Sequence, residues 1–216
     1  RLSHPDDNST NILVLFDDVT DRQHETAEME FIVSETRHRM KNLFAVVRSV
    51  AMQTHAEGPM AAAYRQTLLG RLEATFRAQE IAATNEAADF QALVTQAISE
   101  PALDRVSFEG PAVQVPSSRV LTISMIFHEL MTNAVKYGAL SHPDGKIHIT
   151  WSLETGARDR TYLNCEWRER SGPPVTPPAH SGYGTQLIKA TSAQAGGSAE
   201  LTYEPDGCAA LIQVPV

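Results

Sequence analysis

Residues 127–138 read FHELMTNAVKYG, and this stretch decides the fold because one helix here carries both an apolar stripe and a polar face. It ends the longer segment SSRVLTISMIFHELMTNAVKYG, in which Ser117 or Ser118 is the expected N-cap and Gly138 the expected end. Helical positions four, seven and eight residues apart share a face. The apolar side chains therefore serve a core, and the polar side chains that point together are those of Glu129, Asn133, Lys136 and Tyr137.

The polar face of this helix has the chemistry of a metal and phosphate site. Mg²⁺ prefers oxygen ligands and usually keeps several waters, so a carboxylate and an amide oxygen on one line suit it. A lysine ammonium is a compact charge for phosphate oxygens. A solvated helix face with the same residue types is the alternative interpretation, and the helix alone does not decide between the two.

Composition excludes several classes of protein. The chain has 216 residues and 42% apolar content, enough for one large domain or two small ones with a sizeable core. Its net charge of −8 and pI of about 5.5 disfavour a nucleic-acid binder, which usually presents a basic face. No apolar run approaches the ~20 residues that span a bilayer. The two cysteines form neither a disulfide framework nor a metal-ligand pattern, which favours a cytoplasmic setting.

Two long helices are expected before this segment. Residues 21–54 contain neither proline nor glycine, and Gly58 and Pro59 then separate them from a second helical stretch over residues 60–83. Two such helices form a hairpin, and its apolar seam needs a partner. The seam positions of the first helix alternate steps of four and three residues, and they are Thr36, Met40, Leu43, Val47, Val50 and Thr54.

The remainder of the chain mixes short strands with helices. KIHITWSL and TYLNCEWRE alternate like antiparallel strands, and RVSFEG, AVQVP, AELTYE and AALIQVPV are further expected strands. FQALVTQAIS and TQLIKATSAQA are expected helices. The predicted fold class is therefore α+β, a two-helix hairpin followed by an α/β sandwich.

A loop rich in proline and glycine, RSGPPVTPPAHSGYGT, connects a strand to a helix. Gly182 and Gly184 would let backbone amides approach an anion at the positive N-terminus of that helix. Glu169 ends the preceding strand, shortly before Gly172, where a carboxylate can accept a hydrogen bond from an adenine amino group. An ordinary flexible loop explains the glycines alone, but the polar helix, the acid and the loop in this order indicate a nucleotide site.

Residues 86–216 thus resemble the ATP-binding domain of the GHKL superfamily, the Bergerat fold, and more finely the HWE family of bacterial sensor histidine kinases. That family is named for a histidine in the asparagine-bearing helix and for a Trp-x-Glu segment, which His128, Trp167 and Glu169 match. The sequence departs from the family at SGPP, where Ser171 replaces the first residue of the usual Gly-Gly-Pro. The role of His128 stays open between a structural and a catalytic one.

The resemblance implies ATP and Mg²⁺ as cofactors. Asn133 would coordinate the metal, and Glu129 would help to hold or activate the metal and its waters. Lys136 and Tyr137 would contact phosphate or ribose, and Glu169 would contact adenine. The positions that would belong to the nucleotide-binding loop and the ATP lid are Gly172, Gly182, Gly184 and Thr185.

The first long helix carries a candidate phosphoacceptor. His38 lies two residues from two seam positions, which turns it by about 200° away from the seam. An exposed neutral imidazole with a pKa near ~6.5 is a competent nucleophile at pH 7. A basic patch with a passenger histidine is the alternative, but the string HRMKN resembles the phosphoacceptor box of the same family. Glu35 and Asn42 lie one turn away and could orient the ring, and Glu35 is the candidate general base because Arg39 stands where many histidine kinases have an acid.

We therefore expect three domains: residues 1–20 as the exit of a PAS-type sensor domain, 21–85 as the phosphoacceptor hairpin and 86–216 as the ATP-binding domain. The resemblance at the N-terminus rests on the strand over residues 12–16 and on DVTDR, and it implies an upstream sensor domain. The expected function is autophosphorylation of His38 by Mg-ATP, followed by transfer to an aspartate of a response-regulator receiver domain.

The expected assembly is a homodimer through the hairpin, although a monomer is possible, and no nucleic-acid partner or membrane span is expected. The alternative functions are a GHKL ATPase or a kinase that acts on serine, and a degenerate scaffold that binds nucleotide without transfer.

Overall fold

The stretch without proline or glycine before Gly58 contains the first long helix, a second long helix follows from Pro59, and alternating stretches form the strands. The structure, a computed structural model, describes residues 2–3, 10–11, 20–53, 58–156, 159–175, 182–205 and 207–216. The helices are α1 (Thr20–Gln53), α2 (Pro59–Thr84), α3 (Phe90–Thr95), α4 (Ser117–Lys136) and α5 (Tyr183–Gln194), with 3₁₀ turns at Glu100–Arg105 and Ala139–Ser141. The strands are β1 (Leu2–Ser3), β2 (Thr10–Asn11), β3 (Ala87–Asp89), β4 (Val106–Glu109), β5 (Gln114–Pro116), β6 (Lys146–Thr155), β7 (Thr161–Arg170), β8 (Ser198–Glu204) and β9 (Gly207–Pro215).

The chain divides into two compact units, Arg1–Met40 and Lys41–Val216. The first unit holds the antiparallel pair β1–β2 and the beginning of α1. Phe31 and Ile32 of this part of α1 are exposed. The strand predicted over residues 12–16 and most of DVTDR lie outside the described residues, so the resemblance to a PAS-type exit stays a prediction.

The second unit opens with a helical hairpin. The end of α1 runs antiparallel to α2, because residues later in α1 contact residues earlier in α2. Lys41 Nζ lies 2.6 Å from Glu80 Oε1, the Phe44 and Phe76 rings stack with centroids 5.0 Å apart, and an Arg48–Glu73 ion pair at 3.1 Å follows. The predicted hairpin is confirmed here, and several apolar side chains of its seam stay exposed, namely Leu43, Val47, Val50, Tyr64 and Leu68.

The sandwich that follows is built on a five-stranded sheet in the order β4-β6-β7-β9-β8. The β4–β6 pair is parallel and the other pairs are antiparallel. Alternation along β7 buries Leu163, Cys165, Trp167 and Glu169, and leaves their neighbours partly exposed. Helices α4 and α5 contact each other, and α2 packs on α4, so the polar helix lies between the hairpin and the sandwich core.

Aromatic rings link the helices to the sheet in the core. Phe90 of α3 meets Phe127 of α4 edge-on at a centroid distance of 5.6 Å, and Phe127 tilts against Trp167 of β7 at 6.3 Å. Phe90 also packs edge-on against Trp151 of β6 at 5.1 Å. Each of these residues is at most 7% exposed. The four rings in contact, Trp151, Phe90, Phe127 and Trp167, therefore fix α4 over the sheet.

The predicted serine N-cap of α4 is wrong. The helix begins directly at Ser117, Pro116 occupies the cap position, and no side chain caps the helix. Because Pro116 also ends β5, paired with Ala87, the chain passes directly from strand to helix and leaves no separate position for a serine cap. The Ser117 amide instead donates to the Glu86 carbonyl at 2.8 Å.

None of the helices in the described part of the chain combines the length and the apolar content that crossing a bilayer requires.

We predict that Phe127→Ala destabilises the sandwich by ~3–5 kcal/mol, because truncating a buried phenylalanine leaves a cavity that the core fills only partly. Val135→Ala on the exposed side of the same helix should change the free energy of unfolding by no more than ~0.5 kcal/mol. Urea denaturation followed by circular dichroism measures both values. Equal effects of the two variants would contradict the role of Phe127 in the core.

Candidate functional site

A cavity of about 350 Å³ lies where α4 and α5 meet the strands β7, β8 and β9. Five of the residues predicted to bind nucleotide line it together, although they come from three separate stretches of the chain: Asn133, Tyr137, Glu169, Gly182 and Thr185. Seven further lining residues, mostly apolar, were not predicted from the sequence: Leu130, Gly138, Pro174, Val175, Leu201, Tyr203 and Cys208. Apolar walls with a few polar groups are typical of small-molecule sites.

The carboxylate of Glu169 is the buried polar group of this cavity. The residue is only 3% exposed, and each carboxylate oxygen accepts a hydrogen bond from the protein. The Ala139 amide donates to Oε2 at 2.7 Å, and the indole Nε1 of Trp167 donates to Oε1 at 3.2 Å. Burial raises the pKa of Glu169, and the two hydrogen bonds partly oppose this rise because they favour the charged form.

Three glycines, Gly138, Gly145 and Gly172, pack closely around the turn that supplies the Ala139 amide. A Cβ on Gly138 would collide with the Glu169 carboxylate, and a Cβ on Gly145 would collide with the Ala139 carbonyl. A Cβ on Gly172 would approach the Ala139 Cα to 2.7 Å. Glycine is therefore required at all three positions for the amide to reach the carboxylate.

Ser171 and Gly172 lie at the start of the predicted lid loop. Gly172 packs behind the Ala139 turn and is not part of the cavity wall, so its contact with nucleotide stays a prediction. Ser171, where the family pattern has a glycine, adopts a φ of 56° in the left-handed region. Ser171 thus adopts a backbone conformation that glycine, the residue of the family pattern, adopts more easily.

Glu129 is held by an arginine, Arg71, which was not predicted from the sequence. Its carboxylate is 2% exposed and receives two hydrogen bonds from Arg71 of α2, from Nε to Oε1 and from Nη2 to Oε2, both at 2.7 Å. The guanidinium also lies over the ring of Tyr183, the first residue of α5, at 4.7 Å from its centroid. The hydrogen bond to Glu129 raises the pKa of Arg71. In this arrangement the carboxylate faces α2, and its predicted metal role stays a prediction.

The remaining predicted groups divide between the cavity and α2. Lys136 Nζ donates to the Thr67 hydroxyl of α2 at 2.8 Å, and it is not part of the cavity wall. Tyr137, at the end of α4, is exposed at the cavity rim. Gly184 sits at the start of α5 beside Glu129, where a Cβ would approach Oε2 to 2.7 Å. The polar face of α4 is therefore shared between the cavity and the hairpin.

His128 faces α2 and not the cavity. Its ring lies against Gly70, where a Cβ would stand 3.5 Å from Cε1 and Nε2. Burial lowers the pKa of His128, an effect that the nearby Glu129 charge opposes. A histidine with a structural role is expected in such a contact between two helices, here α4 and α2.

The phosphoacceptor candidates lie on α1. His38 and Glu35 are exposed on the part of α1 in the first unit, and Asn42 is exposed on the part in the second unit. The seam positions Thr36, Leu43 and Val47 are exposed as well, so the position of His38 off the apolar seam stays a prediction.

The predicted magnesium ligands do not belong to a cluster of metal-binding side chains. Across the described ranges, no three His, Cys, Asp or Glu side chains come together in a way that could hold a metal ion. Mg²⁺ that accompanies nucleotide commonly takes only one or two protein oxygens besides phosphates and waters. The Asn133 amide at the cavity wall fits such a site.

Comparisons with known proteins agree with this architecture. A family model described as HWE histidine kinase matches residues 35–112. A blue-light-activated histidine kinase of Brucella ovis is 31% identical over 188 residues, which is 85% of this chain and 38% of that protein. One of Brucella anthropi is 29% identical over 219 residues, 96% of this chain and 43% of that protein. The chain thus spans about two-fifths of the length of the curated relatives it matches.

The fold is also similar to a solved structure. The Erythrobacter litoralis blue-light activated histidine kinase aligns with a TM-score of 0.53 at 18% identity, covering 87% of this chain and 60% of that chain. The His128 and Trp167–Glu169 positions, the family-model match and the relatives lead to one conclusion: the chain belongs to the HWE family of histidine kinases.

Proposed function

We propose that this chain is the kinase core of a two-component sensor, which binds Mg-ATP in the cavity and phosphorylates His38. The observation that carries the proposal is that Asn133, Tyr137, Glu169, Gly182 and Thr185 line one cavity. The phosphoryl group would then pass to an aspartate of a response-regulator receiver domain. Because the chain covers only part of its relatives, the upstream sensor domain and the activity of the whole protein belong to this proposal.

The residues would divide the work between base and phosphates. Glu169 would accept from the adenine amino group, and Asn133 would give an oxygen to Mg²⁺, which when bound neutralises phosphate charge. Lys136 could reach phosphate by exchanging its hydrogen bond to Thr67, an exchange that costs little at an exposed site. Positioning and charge stabilisation supply most of the catalysis in phosphoryl transfer.

The transfer step itself would use the His38 imidazole. A neutral ring nitrogen would form the bond to the γ-phosphorus as the bond from that phosphorus to the bridging oxygen breaks, and ADP leaves with the electron pair. Glu35 is the candidate base for the ring proton, and Asn42 is a candidate for orienting the ring. Their roles rest on sequence spacing and on their exposure along α1.

A homodimer through the hairpin is part of the proposal. Exposed apolar side chains continue along the second-unit part of α1 and along α2, from Leu43 to Val50 and from Met60 to Leu68. Burying such a stripe against a second copy removes apolar surface from water, which favours association. Free cysteines at positions 165 and 208 are compatible with the reducing cytoplasm that we propose as its location.

His38→Ala should abolish acid-labile, base-stable phosphate incorporation from ATP and leave ATP affinity within about twofold of wild type, because His38 does not line the cavity. His24→Ala on the same helix serves as the matched histidine control and should label normally. Labelling with γ-³²P-ATP and acid treatment measures the result. Continued acid-labile labelling of His38→Ala would reject this acceptor, and ATP binding or hydrolysis without labelling of wild type would favour the scaffold or the ATPase.

Asn133→Ala should remove metal-dependent ATP binding, because no second amide or carboxylate oxygen of the cavity wall lies on the same turn of α4. Asn164→Ala on β7, whose amide donates to Glu154 at 2.9 Å outside the cavity, is the control and should bind like wild type. Calorimetry with ATP in the presence and absence of Mg²⁺ distinguishes the two. Wild-type affinity for Mg-ATP in Asn133→Ala would exclude the metal role.

Glu169→Ala should weaken ATP binding roughly ten- to a hundredfold and reduce selectivity against GTP, because a carboxylate accepts from the adenine amino group and repels the guanine carbonyl. It should also lower the melting temperature without ligand, since the Ala139 amide and the Trp167 indole lose their buried acceptor.

The control for Glu169→Ala is Glu166→Ala, on the opposite face of the same strand. Competition binding with ATP and GTP, on protein shown to be folded, measures the selectivity. An unchanged ratio of affinities in Glu169→Ala would remove the adenine role.

A further inference from the structure

The proposed adenine contact depends on a carboxylate that must be held in place inside the protein. Glu169 is 3% exposed, and a glutamate has one more rotatable bond than an aspartate would have at this position. Its Oε2 is fixed by the Ala139 amide at 2.7 Å, in a turn that glycines pack tightly. One hydrogen bond to one oxygen leaves the carboxylate plane free to rotate, so a second contact decides its orientation.

The second contact is the indole of Trp167. The ring has no exposed surface, lies two residues before Glu169 on the same face of β7, and donates from Nε1 to Oε1 at 3.2 Å. Phe127 of α4 tilts against it at 6.3 Å, and it is paired in the sheet with Ile149 and Ala210. A ring held in this way directs its N–H at one point, and a buried indole N–H needs an acceptor.

We propose that Trp167 is a positioning residue of the nucleotide site, whose indole N–H orients the Glu169 carboxylate to accept from the adenine amino group and so sets the preference for ATP over GTP. This inference rests on the proposed function of the cavity. Trp167 acts through Glu169 and is not one of the residues that line the cavity. The Trp-x-Glu spacing then has a physical reason, because only the alternate position of a strand places both side chains on one face.

Orientation and ionisation are coupled at this carboxylate. The indole hydrogen bond favours the charged form, which accepts only, whereas a protonated carboxyl could donate to the guanine carbonyl. Losing the N–H therefore raises the pKa of Glu169 further, so the preference for ATP should fail at a higher pH than in wild type. Within the described ranges, three other titratable groups face this carboxylate or share its cavity: Cys208 of β9, Tyr137 and Tyr203. Burial and the Glu169 charge raise the pKa of the Cys208 thiol to about 12.

The test uses the two tryptophans of the chain, Trp151 and Trp167, as a matched pair. Both are buried and both donate from Nε1, but Trp151 donates to the Pro111 carbonyl at 2.7 Å, away from the cavity. In Trp167→Phe we expect the ratio of ATP to GTP affinity to fall about tenfold, the effect of one charge-assisted hydrogen bond. As the pH is lowered, the remaining preference for ATP should be lost at a higher pH than in wild type. Trp151→Phe should keep the wild-type ratio and pH profile.

Three outcomes of these binding measurements overturn the inference. If Trp167→Phe keeps the selectivity and pH profile of wild type, the positioning role is rejected. The adenine contact would still be supported if Glu169→Ala loses selectivity. An equal change in Trp151→Phe assigns the effect to general core damage. Wild-type protein without any preference for ATP rejects the adenine contact and this inference together.

A spectroscopic measurement and an isosteric replacement keep the test valid if Trp167→Phe folds poorly. In ¹H–¹⁵N spectra of the wild-type chain, the indole signal of Trp167 should titrate with Glu169 and that of Trp151 should not, and a static Trp167 signal would contradict the coupling. Replacing tryptophan by 3-benzothienylalanine in the Trp151→Phe background changes only position 167, keeps the ring shape and removes the N–H. It should lower selectivity as Trp167→Phe does, and unchanged selectivity would reject the inference.

Discussion

The ion pair between the buried Glu129 and the partly buried Arg71 is the interaction on which the arrangement of the helices depends. A carboxylate that is 2% exposed would be costly without a partner, and breaking such a pair by removing one member typically costs ~3–5 kcal/mol. The bidentate geometry and the Tyr183 ring beneath the guanidinium connect α2, α4 and α5 through one side chain. The hairpin helix α2 is thereby part of the structure around the cavity, in addition to its proposed role in dimerisation.

Much of the fold could be predicted because its signals are local. A long stretch without proline or glycine predicts the first long helix, the break at Gly58 and Pro59 separates it from the second, and alternation predicts β6 to β9, all within one or two residues of the observed ends. The cap of α4 was predicted wrongly for a reason that is not local. A serine before an apolar run predicts an N-cap, but the pairing of Pro116 with Ala87 carries the strand up to the helix.

The candidate site was predictable only where side-chain type and spacing identify a role. Asn133, Glu169 and Gly182 were found in this way and line one cavity. Arg71 was not, because its partner is 58 residues away in the sequence and a lone arginine on a helix has no distinguishing pattern. The Ala139 amide could not be found either, since any residue except proline supplies a backbone N–H. Lys136 was correctly placed on the polar face, yet tertiary packing turned it towards Thr67.

The distribution of tryptophan has a consequence for how folding of this chain can be followed. Both tryptophans are buried in strands of the sheet, whereas α1 and α2 contain only phenylalanine and tyrosine among aromatic residues. Indole fluorescence therefore reports on the sandwich alone, while far-ultraviolet ellipticity is weighted towards the long helices. Overlaying the two denaturation curves would show directly whether hairpin and sandwich melt as one cooperative unit or in separate steps.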